Sequence, residues 1–122
     1  MTNNRQPVIC IDYKTGNRIR IHKITLHLLG DPDYIQLLIN PAKKVLAVRK
    51  GSANDPLSIR VNQNKNDKDC YEIRSIELLK SLKKLYEEWE YGCCYRIYGN
   101  MDYKNKVANF KISDMTRIKE LS

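Results

Sequence analysis

The chain has 122 residues, a hydrophobic share of 42% and a formal net charge of +8. It lacks an apolar run approaching the roughly 20 residues of a membrane-spanning helix, and Met1–Pro7 lacks the apolar core of a secretory signal. We therefore expect one cytoplasmic domain over residues 1–122 with no membrane association. The absence of any Cys-x-x-Cys spacing favours buried or idle thiols in a reducing compartment over disulfides or a redox pair.

Residues 8–61 are predicted to form the first of two similar halves. Arg18–Ile21 alternates basic and apolar residues, the period-2 pattern of a strand with one dry face. A short helix over Thr25–Leu29 is expected to end at Gly30, because glycine tolerates the positive φ of a helix C-terminus. The other predicted strands of this half are Val8–Ile11, Tyr34–Ile39, Val45–Arg49 and Leu57–Val61.

Residues 62–69 have no apolar side chain and predict a linker or loop before the second half, residues 70–122. An apolar stripe containing Leu78, Leu82 and Leu85 predicts one long helix, Ile76–Glu90, with Ser75 as its N-cap. Further strands are predicted at Tyr71–Arg74, Cys93–Tyr98 and Val107–Ile112.

Both halves therefore repeat the order strand, helix, strand, turn, strand. The predicted fold class is α+β: two β-α-β-β units packed as a pseudo-two-fold pair, in a small mixed or antiparallel sheet or barrel with one long helix. Neither unit alone would bury a sufficient core, so each would cover the apolar face of the other.

Residues 17–50 resemble the AbrB/SpoVT/MazE swapped-hairpin DNA-binding domain. The resemblance rests on Arg18-Ile19-Arg20-Ile21, then Leu29-Gly30, then Ile35–Ile39 and Lys44–Val48. A tandem of two such units would be similar to the arrangement in MraZ. His22 and Asn17 depart from the proline and glycine that are usual in the family. The resemblance implies intertwined hairpins with Arg18 and Arg20 facing DNA, in a transcription regulator or an antitoxin.

The basic side chains of the first half predict a surface that binds polyanions. Residues 1–69 carry 12 basic and 6 acidic residues, whereas residues 70–122 carry 10 and 8. Arginine suits phosphate oxygens and guanine edges because its planar fork donates two parallel hydrogen bonds. The predicted nucleic-acid-binding residues are Lys14, Arg18, Arg20, Lys23, Lys43, Lys44, Arg49 and Lys50. A merely solvated sheet face and an acidic protein partner remain alternatives.

We expect no catalytic residues, no metal site and no cofactor. His22 and His27 are five residues apart and lie on different faces of a helix, so they could join Cys10 only through tertiary contact. Tyr91, Tyr95, Tyr98 and Tyr103 lie near Lys104, Lys106 and Lys111, a composition that can stack on single-stranded nucleic acid or simply reflect half-buried strand tyrosines.

Two functions follow from these observations. The first is a non-catalytic nucleic-acid-binding regulatory protein, either a monomer or a homodimer, whose partner is DNA. The second is an inhibitor from a phage or mobile element that binds a host nucleoprotein such as a CRISPR-Cas effector, an anti-CRISPR protein. A composition rich in Lys, Asn, Ile and Tyr is typical of an AT-rich genome and suggests this second class.

Overall fold

A computed structural model describes residues 5–13, 17–61, 70–90 and 92–118. Of these residues 44% are in strands and 19% in helices. The strands are β1 (Val8–Asp12), β2 (Arg18–His22), β3 (Tyr34–Asn40), β4 (Val45–Lys50), β5 (Ile59–Arg60), β6 (Cys70–Ile73), β7 (Cys94–Tyr98), β8 (Asn100–Asp102), β9 (Val107–Lys111) and β10 (Thr116–Ile118). The helices are α1 (Lys23–Leu28) and α2 (Ile76–Leu85), with a 3-10 turn at Ile112–Asp114. Neither α1 nor α2 is long and apolar enough to cross a membrane.

The described strands form two antiparallel five-stranded sheets. Sheet I has the order β10-β7-β1-β2-β6, and sheet II has the order β5-β3-β4-β9-β8. The predicted α+β class is therefore wrong, because the protein is mostly β and has only short helices. The predicted pairing of two swapped-hairpin-like units is wrong for the same reason.

Each sheet takes strands from both halves of the chain, which explains why the halves do not form separate units. The arginine strand β2 pairs with β1 and β6 in sheet I. The hairpin of β3 and β4 belongs to sheet II, where β4 pairs with β9 from the second half. The predicted linker, residues 62–69, lies outside the described residues.

The long helix predicted over Ile76–Glu90 ends five residues early, at Leu85. Tyr86 adopts an extended backbone, with φ −125° and ψ 96°. This turn lets two aromatic rings pack on the core, since Tyr86 lies 5.6 Å from Tyr95 and Trp89 lies 5.2 Å from Tyr13, measured between ring centroids. Aromatic packing therefore replaces the last helical turn, whose three glutamates would oppose the helix dipole.

The inner faces of the two sheets share one hydrophobic core. Sheet I contributes fully buried isoleucines, including Ile9, Ile19 and Ile21. Sheet II contributes side chains such as Leu46 and Phe110. Burying one such side chain stabilises the fold by about 2 kcal/mol. Because these inner faces meet in one core, the outer faces of sheets I and II lie on opposite sides of the molecule.

Gly99 joins the two sheets between β7 and β8. A Cβ atom at this position would lie 2.5 Å from the carbonyl oxygen of Asn109 and 2.6 Å from the Phe110 ring. Its own N–H donates to the Pro7 carbonyl at 2.8 Å. Only glycine allows the chain to pass so closely over the core as it leaves one sheet for the other.

Candidate nucleic-acid interface

Arg18 and Arg20 lie on the outer face of sheet I, and Ile19 and Ile21 are fully buried on the inner face. The Arg18 Nε donates to Asp12 Oδ2 at 2.8 Å, and one terminal nitrogen of Arg18 lies 2.8 Å from Glu72 Oε1. The hydrogen bond to Asp12, assisted by Glu72, raises the pKa of Arg18. Arg20 also approaches Asp12, at 3.6 Å. The alternation is thus as predicted, but carboxylates of the same chain neutralise much of this charge.

The other predicted contact residues are divided between distant parts of the structure. Lys23 is exposed at the first residue of α1, and Lys14 lies outside the described residues. Lys43 and Lys44 occupy the turn between β3 and β4, at one end of sheet II. Arg49 and Lys50 close β4 at its other end. The eight predicted residues therefore do not form one patch.

Sheet II brings lysines of the second half to these positions, because β9 pairs with β4. Val45 lies opposite Lys111, and Arg49 lies opposite Val107. The result is two groups of exposed cations. We call Lys43, Lys44 and Lys111 the turn cluster, and Arg49, Lys104 and Lys106 the tip cluster. Lys50 is exposed at the end of β4 but lies opposite the fully buried Ile35, so it belongs to the other face of sheet II. On β4, Val45 beside the turn cluster and Arg49 in the tip cluster are about 13 Å apart, at about 3.3 Å per residue.

The two hairpin turns of sheet II have the same local geometry. In one turn the Lys43 N–H donates to Asn40 Oδ1 at 3.1 Å, and in the other the Asn105 N–H donates to Asp102 Oδ1 at 3.1 Å. Each turn ends on a lysine with φ of 53°, Lys44 and Lys106. This left-handed conformation favours glycine or asparagine and costs other residues about 1 kcal/mol. Both lysines are therefore kept at a conformational cost.

The acidic residues of sheet II leave these cations without neutralisation. Asp102 accepts hydrogen bonds from the side chain and backbone of Asn105, which lower the pKa of the Asp102 carboxyl. Asp55 accepts a hydrogen bond from the Gln36 amide. No lysine or arginine of the two clusters forms an ion pair with a carboxylate of the described residues.

Arg49 is held in position by a side-chain network. Its Nε donates to Gln36 Oε1 at 2.8 Å, and Gln36 donates in turn to Asp55 and Ser58. The loop that carries Asp55 and Ser58 packs closely on Gly51, where a Cβ atom would lie 2.4 Å from Ser58 Oγ. The guanidinium of Arg49 is exposed but oriented, which reduces the entropy that a ligand contact would remove.

A neutral strip lies between the two clusters on the outer face of sheet II. The β-sheet register places Leu38, Ala47, Asn109 and Asn100 in one row across four strands. Leu38 is 36% exposed. At the tip cluster, the Tyr103 side chain is 66% exposed and stands beside Lys104. Flat apolar and amide surface with an exposed ring is the kind of surface on which bases stack.

The tyrosines of the second half have divided roles. Tyr95 is buried at 2% exposure, whereas Tyr98 and Tyr103 are exposed, and Tyr91 lies outside the described residues. Only Tyr103 lies in the β8–β9 turn, next to the lysines of sheet II. The hypothesis that these tyrosines stack on nucleic acid is therefore kept for Tyr103, whereas Tyr95 is a buried strand tyrosine.

One contact on sheet I joins two residues that the sequence could connect only through tertiary structure. Cys10 Sγ lies 3.2 Å from His22 Nε2, because β1 and β2 pair. Across the described ranges, no group of three or more histidine, cysteine or acidic side chains is arranged to hold a metal ion. Only the strand pairing could have indicated this contact, since the two residues are twelve apart in sequence.

Comparison with protein-family models, curated proteins and solved structures found no match to this chain.

Proposed function

We propose that this protein is a non-catalytic regulatory protein that binds nucleic acid through the outer face of sheet II. The observation that carries the proposal is the charge of this sheet. Residues 34–60 and 99–111 contain eight basic side chains and two carboxylates, a balance of +6. A surface of this kind concentrates polyanions and loses affinity as salt rises.

The two clusters suit a single strand lying along β4 and β9. Phosphates would contact the cations at either end, and bases would lie on the neutral strip and on Tyr103. Base stacking on an aromatic ring contributes about 1–3 kcal/mol per base. A single strand is favoured over a duplex because it can present phosphates and unpaired bases to the same flat surface.

The left-handed lysines distinguish this proposal from a charge that serves solubility alone. Solubility requires no particular position, and asparagine in the same two turns would be conformationally easier. Lysine at Lys44 and Lys106 places a cation at each end of the proposed path. Strain of this kind supports a hypothesis of function at the strained position.

Fluorescence polarisation with a labelled strand of about 15 nucleotides tests the proposal. At about 50 mM salt we expect a dissociation constant of roughly 10⁻⁴ to 10⁻⁶ M or tighter. With about four phosphate contacts, log K should fall against log salt with a slope of about −3. A duplex of the same length should bind more weakly.

The decisive variant is Lys44→Asn together with Lys106→Asn. It should weaken binding at least about tenfold and reduce the salt slope by about 1.4, because two phosphate contacts are lost. Its stability should be unchanged or higher, since asparagine tolerates positive φ, so unfolding cannot explain the loss.

The matched control removes two exposed lysines from α2, Lys80→Gln with Lys84→Gln. This variant has the same net charge as the double asparagine variant but should bind as the wild type does. Equal weakening in both variants would show that binding depends on the net charge of the protein and not on the two turns of sheet II. No measurable affinity at low salt would reject the proposal. A chain that does not bind the oligonucleotide but still retains a host protein after nuclease treatment would also reject it.

A further inference from the structure

A second group of cations lies on the opposite side of the molecule, at the centre of the outer face of sheet I. In the antiparallel register, Cys10 on β1 lies opposite Arg20 on β2 and opposite Arg96 on β7. The two arginines thus flank one thiol in a single cross-strand row. Cys10 itself is only 6% exposed.

The contacts of Arg96 are unusual for a half-buried arginine. Its hydrogen bond to Cys10, with a smaller contribution from Tyr98, raises the pKa of Arg96 against the opposing effect of burial. A thiol and a phenol are weak or neutral acceptors. Among the described residues, no carboxylate lies within ion-pair distance of Arg96. A partly buried cation without an anion is unfavourable in a folded protein.

Both arginines also leave a donor unused. The Nε atoms of Arg20 and Arg96 expose less than 1 Å² and have no hydrogen-bond partner among the described residues. An unsatisfied buried donor destabilises the folded state, and more so when the group is charged. Arg20 already has the Asp12 carboxylate 3.6 Å from a terminal nitrogen, whereas Arg96 has no carboxylate partner among the described residues. The two unused Nε donors on either side of Cys10 suit an acceptor that carries negative charge.

We propose that Arg20 and Arg96 bind an oxyanion of the phosphate class above Cys10. Each guanidinium would direct Nε and one terminal nitrogen to the ligand, in the two-bonded fork that matches phosphate oxygens. Because both Nε atoms are covered, the two side chains must swing away from the sheet as the ligand enters. The exposed Thr116, opposite Arg96 on β10, lies at the rim, where its hydroxyl donates to the Asp114 carbonyl at 3.3 Å.

Two sources present this chemistry, namely free inorganic phosphate and the terminal phosphate of a nucleic acid. The site is independent of the proposed interface, because sheets I and II present their outer faces in opposite directions. The failure of either proposal therefore leaves the other intact.

Thermal unfolding in inorganic phosphate, compared with chloride of equal ionic strength, tests the site. At a tenfold excess over the dissociation constant, phosphate should raise Tm by about 5 °C. In protein labelled with ¹⁵N at arginine, the Nε–H resonances of Arg20 and Arg96 should shift on the same phosphate titration. No stabilisation beyond that in chloride, or no shift at these two resonances, would overturn the proposal.

Variants separate this site from other arginines. Arg96→Gln should abolish the phosphate-specific rise in Tm, and Arg96→Lys should lose most of it, because lysine keeps the charge but lacks the fork. The exposed Arg74→Gln is the matched control and should respond as the wild type does. Each response is the difference between phosphate and chloride for one variant, so a lower baseline stability does not affect it. A response kept in full by Arg96→Gln would refute the assignment.

Oligonucleotides with and without a 5′-phosphate distinguish the two sources. A nucleic-acid terminus as ligand predicts that the phosphorylated strand shifts the Arg96 resonance at lower concentration than inorganic phosphate does. Free phosphate as ligand predicts the same shift with inorganic phosphate alone and none from either strand.

Discussion

At the scale of single residues, the cross-strand partner decides what an arginine does. Arg18 and Arg49 both lie in alternating strands and face outward. Arg18 lies opposite Asp12 and forms ion pairs with carboxylates, whereas Arg49 lies opposite Gln36 and has no ion pair among the described residues. The sequence presents both residues alike, because neither partner is close in the chain.

The carboxylate of Asp12 contacts both arginines of β2 on the outer face of sheet I. It is 3% exposed and lies 2.8 Å from Arg18 Nε and 3.6 Å from Arg20, and Cys94 Sγ lies 3.3 Å from its second oxygen. We expect Asp12→Asn to lower the free energy of unfolding by about 3 kcal/mol, since Arg20 loses its carboxylate partner and Arg18 keeps only Glu72. Urea denaturation measures the change.

Asp33→Asn is the matched control, because Asp33 is exposed. Its free energy of unfolding should stay within about 0.5 kcal/mol of the wild type. If Asp12→Asn cost no more than Asp33→Asn, the ion pairs of sheet I would contribute nothing to stability.

At the scale of elements, helix α2 begins where the sequence predicts but ends before its apolar stripe does. Ser75 Oγ accepts the Leu78 N–H at 3.2 Å, as the sequence predicts for an N-cap. Beyond Leu85, the Lys83 ammonium lies 4.2 Å from the centroid of the Trp89 ring, and the chain folds back on the core. The cap is a local signal, whereas the early end depends on rings that only the tertiary structure assembles.

Ser75→Ala should lower the free energy of unfolding by about 1 kcal/mol, because the Leu78 N–H loses its acceptor. Ser75→Gly should cost only a few tenths of a kcal/mol, since glycine leaves the N–H open to water. Chemical denaturation followed by circular dichroism compares the two. An alanine variant as stable as the wild type would show that the cap hydrogen bond contributes little.

At the scale of the whole molecule, the sequence predicts which stretches alternate as strands but not which distant strands pair with each other. The strands predicted around Arg18–Ile21, Tyr34–Ile39 and Val45–Arg49 are present, because one face of each is buried. The pairing of β4 with β9 has no local signal, since it joins residues about 60 apart in sequence. The division into two sheets was therefore beyond the sequence.

The candidate site follows the same rule. Lys43, Lys44, Arg49 and Lys50 were predicted from local charge and lie on sheet II. Lys104, Lys106 and Lys111 entered the sequence argument only through the neighbouring tyrosines, and β9 alone connects them to β4. Composition thus predicts a polyanionic ligand, and this stays a prediction, whereas the position of the proposed surface needed the sheet.

The buried phenols make the stability of the whole molecule sensitive to alkaline pH. Burial raises the pKa of Tyr13 and Tyr95 above the ordinary value of 10.0, and the charge of an ionised Tyr95 adds to the rise in the pKa of Tyr13. Above pH 10 the unfolded chain releases these protons while the folded chain keeps them. The unfolded state then binds fewer protons, so stability is complete below pH 10 and falls as pH rises.

Tyr13 alone should cost about 1.4 kcal/mol of stability between pH 8 and about pH 11, measured as the shift in the urea midpoint. Tyr13→Phe removes this proton and should lose less stability over the same interval than the wild type does. Tyr103→Phe, at an exposed ring, should lose as much as the wild type. If Tyr13→Phe and the wild type lost equal stability, the alkaline loss of stability would have to arise from other groups, such as Tyr95. The phenolate absorbance of Tyr13 should appear together with unfolding, because the ring is 5% exposed and packs against Trp89 and Tyr95 in the folded chain.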